Sequence, residues 1–284
     1  MLENIQLTSD SSCDLNDDQL KENGIVICPI AVILDGKELY DTVNIDAESV
    51  LDFVNKTGKL PKTAATPKDK YVEFFKKFRD EGKTVIHFCI SSKASSCHEH
   101  AVAAAEEVGG VYVIDSYALS GGQGLEILKA ADMIRENKFD NIDDLVNEIE
   151  ANTNKTQLSF VVDTLEFLHK GGRCSSVALI GSKILKIHPS IYNKDGALTV
   201  QKKYMGNMQR CLGLYVQDLS NDFKDYDETR CFITHSPADK ELVDFVREKV
   251  MENFKFNEII ETFAGSTVTS HCGRNTIGVL FMLK

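Results

Sequence analysis

The chain reads as α/β, in two domains. Residues 1–155 are expected to form a mostly parallel sheet with helices on both faces, and residues 156–284 a mixed sheet with helices. Three observations predict this. Strand-like and helix-like stretches alternate with short connections through the first 150 residues, the pattern of βα units and a parallel sheet. The polar stretch Glu150–Thr156 (EANTNKT) interrupts the alternation and reads as a boundary. Beyond it, Asp195-Gly196 sits between two β-rich runs, a strong hairpin signal that brings in antiparallel pairing.

In order, IQLTSD is a short strand pattern, and SDSSCDL after it is polar and turn-like. GIVICPIAVIL is a long apolar run rich in β-branched residues, hence one buried strand or a pair. Asp46–Asn55 and Asp69–Arg79 carry helical spacing, the second with Tyr71, Phe74, Phe75 and Phe78. TVIHFCIS reads as a buried strand, His98–Val108 as a helix, VYVID as a strand, and Leu125–Asn137 and Ile142–Ala151 as helices. After the boundary come the strand LSFVVDTL, a short helix Leu165–His169, a turn at KGGR, and Ser176–Leu185 as an apolar helix or strand. SIYNKDGALTV follows as a hairpin, then a helix near Gln209–Leu219 and the strand TRCFITHS. Ala238–Phe254 is helical, and EIIETFAG and TIGVLFML are strands.

Composition narrows the function classes. With 284 residues, 43% hydrophobic and 26% charged, the chain has enough material for a full core, which excludes disordered and collagen-like classes. No apolar run approaches the roughly 20 residues that span a bilayer. MLENIQLTSDSS lacks a basic segment followed by an apolar stretch, so no secretory signal is expected there. Lys and Arg total 32 against 43 Asp and Glu, a net charge of −11, which argues against nucleic acid as a partner. Lys202-Lys203 with Arg210 is the nearest basic patch and reads as a solvated face. The eight cysteines are dispersed, form no CxxC pair and lie partly in apolar runs, as expected of reduced thiols in a cytoplasmic protein.

In such sheets ligands bind beyond the carboxyl ends of the strands. The loops expected there are SDSSCDL, ISSKASSCHEHA, DSYALSGGQG and AGSTVTSHCGRNT, all rich in hydroxyls or glycine. In the second, Ser96 and Glu99 match a capping box, and Ser95 just before it can add a hydroxyl donor at an anion-friendly helix start. Cys97-His98-Glu99-His100 has metal-ligand residue types, yet on a helix only Cys97 and His100 share a side. Cys97 at a helix N-terminus with His271 as base would instead make a cysteine hydrolase. SGGQG lacks the Lys-Ser/Thr of a P-loop and the spacing of GxGxxG, so a tight turn with close packing is the simpler reading. No carboxylate constellation, GxSxG elbow or HExxH pair stands out. The residues alone therefore describe an anion-friendly hydroxyl cluster without self-sufficient catalytic machinery.

Taken together these stretches resemble the DegV family, bacterial fatty-acid-binding proteins that work with a fatty-acid kinase. TSDSSCDL resembles its D-S-x-x-D-L, LPKTAATP its Thr-Ser-Gln-Pro-like loop, and ISSKASSCHEHA its I-S-S-x-L-S-G-T-Y-x-S-A. VIDSYALSGGQGLEILKAA resembles its strand, glycine loop and helix, and LEFLHKGGR its L-x-x-L-x-K-G-G-R. ILKIHPSIYNKDGAL resembles its K-P-I with a D-G turn, and AGSTVTSHCGRNTIG its terminal H-x-G-x-x-x-x-G. The resemblance implies that Thr63, Ser95 and His271 bind a fatty-acid carboxylate, with the acyl tail in an apolar tunnel between the two domains. It implies that Arg173, in KGGR, contacts the kinase; on the residues alone KGGR is a turn with an exposed Arg. It also implies a non-catalytic carrier without cofactor or metal, presenting its ligand for acyl phosphate formation in phospholipid synthesis, with transient membrane contact. Departures are Ser96-Cys97-His98 for the family's Gly-Thr-Tyr, Ala64 and Ala65 for Ser-Gln, and Arg274 for a proline. A charge added by His98 or Arg274 would point to a different small anionic or apolar ligand.

Overall fold

The computed structural model describes residues 4–174, 176 and 187–284. The first strand, β1 (Ile5–Asp10), is followed by helix α1 (Asp17–Glu22), whose capping box joins Asn16 and Gln19. The long apolar run then divides into two strands in different sheets. Its first part, β2 (Val26–Cys28), pairs in parallel with β1, and its second part, β3 (Ala31–Leu34), turns into a hairpin with β4 (Lys37–Tyr40). Helix α2 (Ala47–Thr57) starts on the Asp46 carboxylate, which accepts from Ser49 N at 2.8 Å. Strand β5 (Lys62–Ala64) returns to β3, so that Thr63 stands opposite Val32 in a small antiparallel sheet. Helix α3 (Lys68–Arg79) buries Tyr71, Val72, Phe74 and Phe75, the face its spacing predicts. Strand β6 (Thr84–Cys89), helix α4 (Cys97–Val108) and strand β7 (Val111–Asp115) complete a parallel sheet in the order β2-β1-β6-β7. Strands such as β6 read as near-continuous apolar runs because both faces are covered.

The expected capping box on α4 does not form. Ser96 caps nothing with its side chain, and Ser95 Oγ instead accepts from Cys97 N at 3.2 Å. The hydroxyl one residue earlier therefore does the capping, because Ser96 at ψ near 5° is already wound toward the helix.

Helix α5 (Gly121–Glu136) is buried throughout its first two turns, and its glycines are there for close packing. A Cβ at Gly122 would lie 2.5 Å from Leu158 Cδ1, and one at Gly124 would lie 2.7 Å from the Cys13 carbonyl oxygen. Since backbone cannot step aside as a side chain can, Gly124→Ala is expected to destabilise the fold by about 1–3 kcal/mol, read as a lower urea midpoint.

Helix α6 (Ile142–Asn152) runs into the stretch expected as a boundary, because Ile149 still packs in the core. A single 3₁₀ turn then leads to β8 (Thr156–Gln157) and β9 (Ser159–Val161). The short helix α7 (Glu166–Gly171) ends at Gly172, whose left-handed φ of 68° makes the expected turn. Most of the expected apolar element Ser176–Leu185 lies outside the described residues. The hairpin is β10 (Ile187–Lys194) and β11 (Ala197–Met205), with Asp195 and Gly196 at φ 51° and 87° as a type I′ turn requires. Then follow α8 (Met208–Asp222), β12 (Tyr226–His235), α9 (Lys240–Asn253), β13 (Glu258–Phe263), α10 (Ser266–Cys272) and β14 (Ile277–Leu283). The resulting sheet is mixed, in the order β11-β10-β9-β14-β12-β13, with β8 also on β14; β12 runs parallel to β13 and antiparallel to β14. Lys202 pairs with Asp218 and Asp222 at 3.2 and 3.5 Å, in keeping with a solvated face.

The largest apolar core joins the two halves. Leu7, Phe88 and Leu125 share it with Leu158, Phe232 and Leu280. A second core lies between α8, α9 and the far face of the mixed sheet, around Tyr215, Val246 and Phe281. No helix among the described residues is long and apolar enough to cross a membrane.

Candidate functional site

Three of the four loops named from sequence meet at one cavity of about 260 Å³; the fourth, SDSSCDL, contributes no lining residue. One side of its lining is apolar: Ile30, Ile90, Leu119, Leu158, Phe160, Leu168, Leu198 and Leu280. Another part gathers Thr63, Ser95, Ser96, Arg173, Thr267 and His271. Residues from both halves of the chain thus build it. Three of the expected ligand residues come together there. Thr63 is carried by β5, Ser95 by the loop after β6, and His271 by α10.

Thr63 Oγ1 lies 2.9 Å from His271 Nε2. His271 is half-buried, and the desolvation of its ring, reinforced by the charge of Arg173, lowers its pKa from 6.5 to about 4. At neutral pH it is therefore a neutral imidazole with one N–H. Its Nδ1 has no hydrogen-bond partner among the described residues and faces Gly171, where an added Cβ would lie 2.6 Å away. With the proton on Nδ1, that N–H would be a donor left without an acceptor, a cost the Nε2–H form avoids. The N–H then belongs on Nε2 and donates to Thr63, which leaves the threonine hydroxyl proton for a ligand.

Arg173 is exposed, as KGGR alone suggested, yet it also lines the cavity. Its Nη1 donates to the Gly171 carbonyl at 2.8 Å. This is a cation at the rim of a site whose other polar groups are neutral donors.

Helix α10 is anchored by two carboxylates that were not legible as a pair in the sequence. Asp14 accepts from Gly265 N at 2.8 Å and from Ser120 Oγ at 2.5 Å. Asp41 accepts from Ser266 N at 2.8 Å, Ser266 Oγ at 2.5 Å and Ser11 Oγ at 2.9 Å. Both acids are buried, 251 and 225 residues away in sequence from the backbone groups they hold. Burial pushes the Asp14 carboxyl up to about 8, and Asp41 adds to the rise. Asp14 and Ser120 also adopt left-handed φ values of 52° and 56°, and such strain concentrates at functional sites.

The hydrolase and metal readings of the α4 start are not supported by the geometry. Cys97 is fully buried, and burial pushes its thiol up to about 11. It lies 3.2 Å from Ser95 Oγ, while the His271 Nε2 it would need is engaged by Thr63. A buried, protonated thiol outweighs any gain from the helix dipole. The folded protein is accordingly expected to resist iodoacetamide at Cys97 at pH 7.5, with labelling appearing only on unfolding, as peptide mass spectrometry would show. His100 Nδ1 lies 2.8 Å from the Thr66 carbonyl oxygen, and Cys97 turns to Ser95, so the two make separate contacts. Of the departures, Ala64, Ala65 and Ser96 line the cavity. Arg274 does not: it pairs with Glu48 at 2.7 Å on the surface. His98 is likewise not among the lining residues, so neither added charge reaches the ligand space.

Comparison with known proteins gives this geometry a context. A model of the family described as "Uncharacterised protein, DegV family" matches residues 4–284. A DegV domain-containing protein of Clostridium perfringens is 30% identical over 284 residues, covering 96% of each chain. Protein DegV of Bacillus subtilis is 25% identical over 284 residues, covering 99% of this chain and all of its own. Among solved structures, a fatty-acid-binding DegV family protein from Thermus thermophilus superimposes with a TM-score of 0.91 at 24% identity, covering 99% of this chain and 100% of that one. A stearic-acid-binding protein from Eubacterium ventriosum gives 0.86 at 24% identity, covering 99% and 98%. A DegV family protein from Eubacterium eligens loaded with heptadecanoic acid gives 0.84 at 23% identity, covering 99% and 100%. These likenesses share the mixed α/β architecture described above, and with the family match along essentially its whole length this chain belongs to the DegV family.

Proposed function

We propose that this chain binds a long-chain fatty acid in the cavity between residues 1–155 and 156–284, and hands its carboxylate to a separate kinase. The observation that carries the reading is the meeting of Thr63, Ser95, His271 and Arg173 against an apolar wall. On this reading Thr63 and Ser95 donate to the carboxylate, and His271 orients Thr63 through its Nε2–H. Arg173 supplies positive potential without burying a charge. Neutral donors suit a carboxylate that must later be phosphorylated, since they hold it without a tight ion pair. The tail supplies the affinity, at about 0.8 kcal/mol per buried CH₂. The fatty acids held by the Thermus and Eubacterium relatives support the ligand class.

The site has donors for a carboxylate but a protonated Cys97, which supports a carrier over a hydrolase. A carrier of this kind works beside an ATP-dependent kinase in the cytoplasm, and its product, an acyl phosphate, would feed phospholipid synthesis. On this reading the exposed Arg173 contacts that kinase. The test is native mass spectrometry with hexadecanoic acid, followed by phosphorylation with a DegV-partner fatty-acid kinase. Stoichiometric binding by wild type and by Arg173→Ala, with phosphorylation lost only in the variant, is the expected result. A wild type that refuses the acid overturns the ligand, and a fully active Arg173→Ala overturns the kinase contact.

A further inference from the structure

Thr267 is the second residue of α10, and its side chain has no role in the site as described so far. It is 5% exposed, it lines the cavity, and its Oγ1 has no hydrogen-bond partner among the described residues. Other hydroxyls that line the cavity are already bonded. Thr234 shares a hydrogen bond with Thr262 at 2.7 Å, Thr276 donates to the Cys272 carbonyl at 2.9 Å, and Ser120 donates to Asp14 at 2.5 Å. Thr267 and His271 are four residues apart and share a helix face, about 6 Å apart along the axis. The free hydroxyl therefore stands one helical turn from His271 in the lining of the same cavity. A plain hydrocarbon segment laid over it offers no partner, and a buried hydroxyl left unpaired counts against the ligand that leaves it so. A site with such a group selects the ligand that carries the matching oxygen.

We propose that the preferred ligand is a hydroxylated fatty acid, with its hydroxyl on one of the first few carbons beyond the carboxylate, and that Thr267 Oγ1 bonds to that hydroxyl. This rests on the fatty-acid reading and adds a chemical class to it. Threonine is both donor and acceptor, so it satisfies a ligand hydroxyl in either direction. The Thr267→Val change is isosteric and removes only this capacity, while Thr267→Ser retains it.

The experiment is displacement of a bound fluorescent fatty-acid analogue by hexadecanoate and by 3-hydroxyhexadecanoate, on wild type and both variants. Wild type and Thr267→Ser are expected to prefer the hydroxy acid by about tenfold, the worth of one satisfied hydrogen bond over an unpaired group. Thr267→Val is expected to lose that preference while gaining affinity for hexadecanoate. An unchanged ratio in Thr267→Val overturns the proposal. So does an equal weakening of both acids, which would make Thr267 a further carboxylate donor. A wild type that binds none of the three probes overturns the fatty-acid reading itself, a result distinct from either.

Discussion

Replacing Thr63 by Val and Ser95 by Ala together is expected to lower affinity for hexadecanoate by about 100-fold or more, while leaving affinity for its methyl ester nearly unchanged. A hydrogen bond to a charged group is worth about 1.5–3 kcal/mol, so each hydroxyl alone accounts for roughly 10- to 100-fold. The double loss is expected to be less than the product, because both donors hold one carboxylate and the second loses much of its purpose once the first is gone. The ester is the control for packing: it keeps the tail and carries no charge. Isothermal titration of both ligands against the single and double variants checks this. A parallel fall for acid and ester would mean that the two hydroxyls shape the cavity and do not read the head group. His271→Ala belongs in the same series. Since His271 reaches the ligand through Thr63, at 2.9 Å, its removal should cost less in a Thr63→Val background than in wild type.

Much of the fold was legible because strand and helix periods are local. The α3 face of Tyr71, Phe74 and Phe75 and the Asp195-Gly196 turn needed only their own neighbourhoods. The division of GIVICPIAVIL between a parallel and an antiparallel sheet was not legible, since the apolar run is continuous and the switch at Pro29 depends on partners far away. The cap on α4 was misassigned by one residue because Ser95 and Ser96 offer the same chemistry, and only backbone geometry separates them. Within the site, Ser95 carried a local signal, a hydroxyl at a helix start, whereas Thr63 entered through the family resemblance alone. Their juxtaposition with His271, 208 residues beyond Thr63, is a product of the tertiary fold. Asp14 and Asp41 escaped notice for the same reason. In sequence each is one acid among 43, and only the arrival of α10 from the far end of the chain turns them into a pair.

That pair makes stability depend on pH in a window that can be named. The Asp14 carboxyl is raised from an ordinary 3.8 to about 8, so between those values the folded chain holds a proton that the unfolded chain has lost. The resulting stability is complete below 3.8 and is lost as pH rises through 8. His271 has the opposite sign. Its pKa falls from 6.5 to about 4, so its contribution is complete above 6.5 and is lost as pH falls through 4. Between 4 and 6.5 the two slopes oppose one another, and from 6.5 to 8 Asp14 acts without that opposition. Thermal melts across this upper window should therefore show a decline of roughly 1.5 kcal/mol, a fall in Tm on the order of 5 °C. Asp14→Asn keeps an oxygen that can accept from Gly265 N and carries no charge at any pH, so its Tm is expected to be flatter from pH 6.5 to 8 by that amount. A slope equally steep in Asp14→Asn would place the titration elsewhere. The consequence for the site runs through α10: ionising Asp14 places a second unshared charge beside Asp41 at the start of the helix that carries His271, and the helix N-terminus offsets only part of that repulsion.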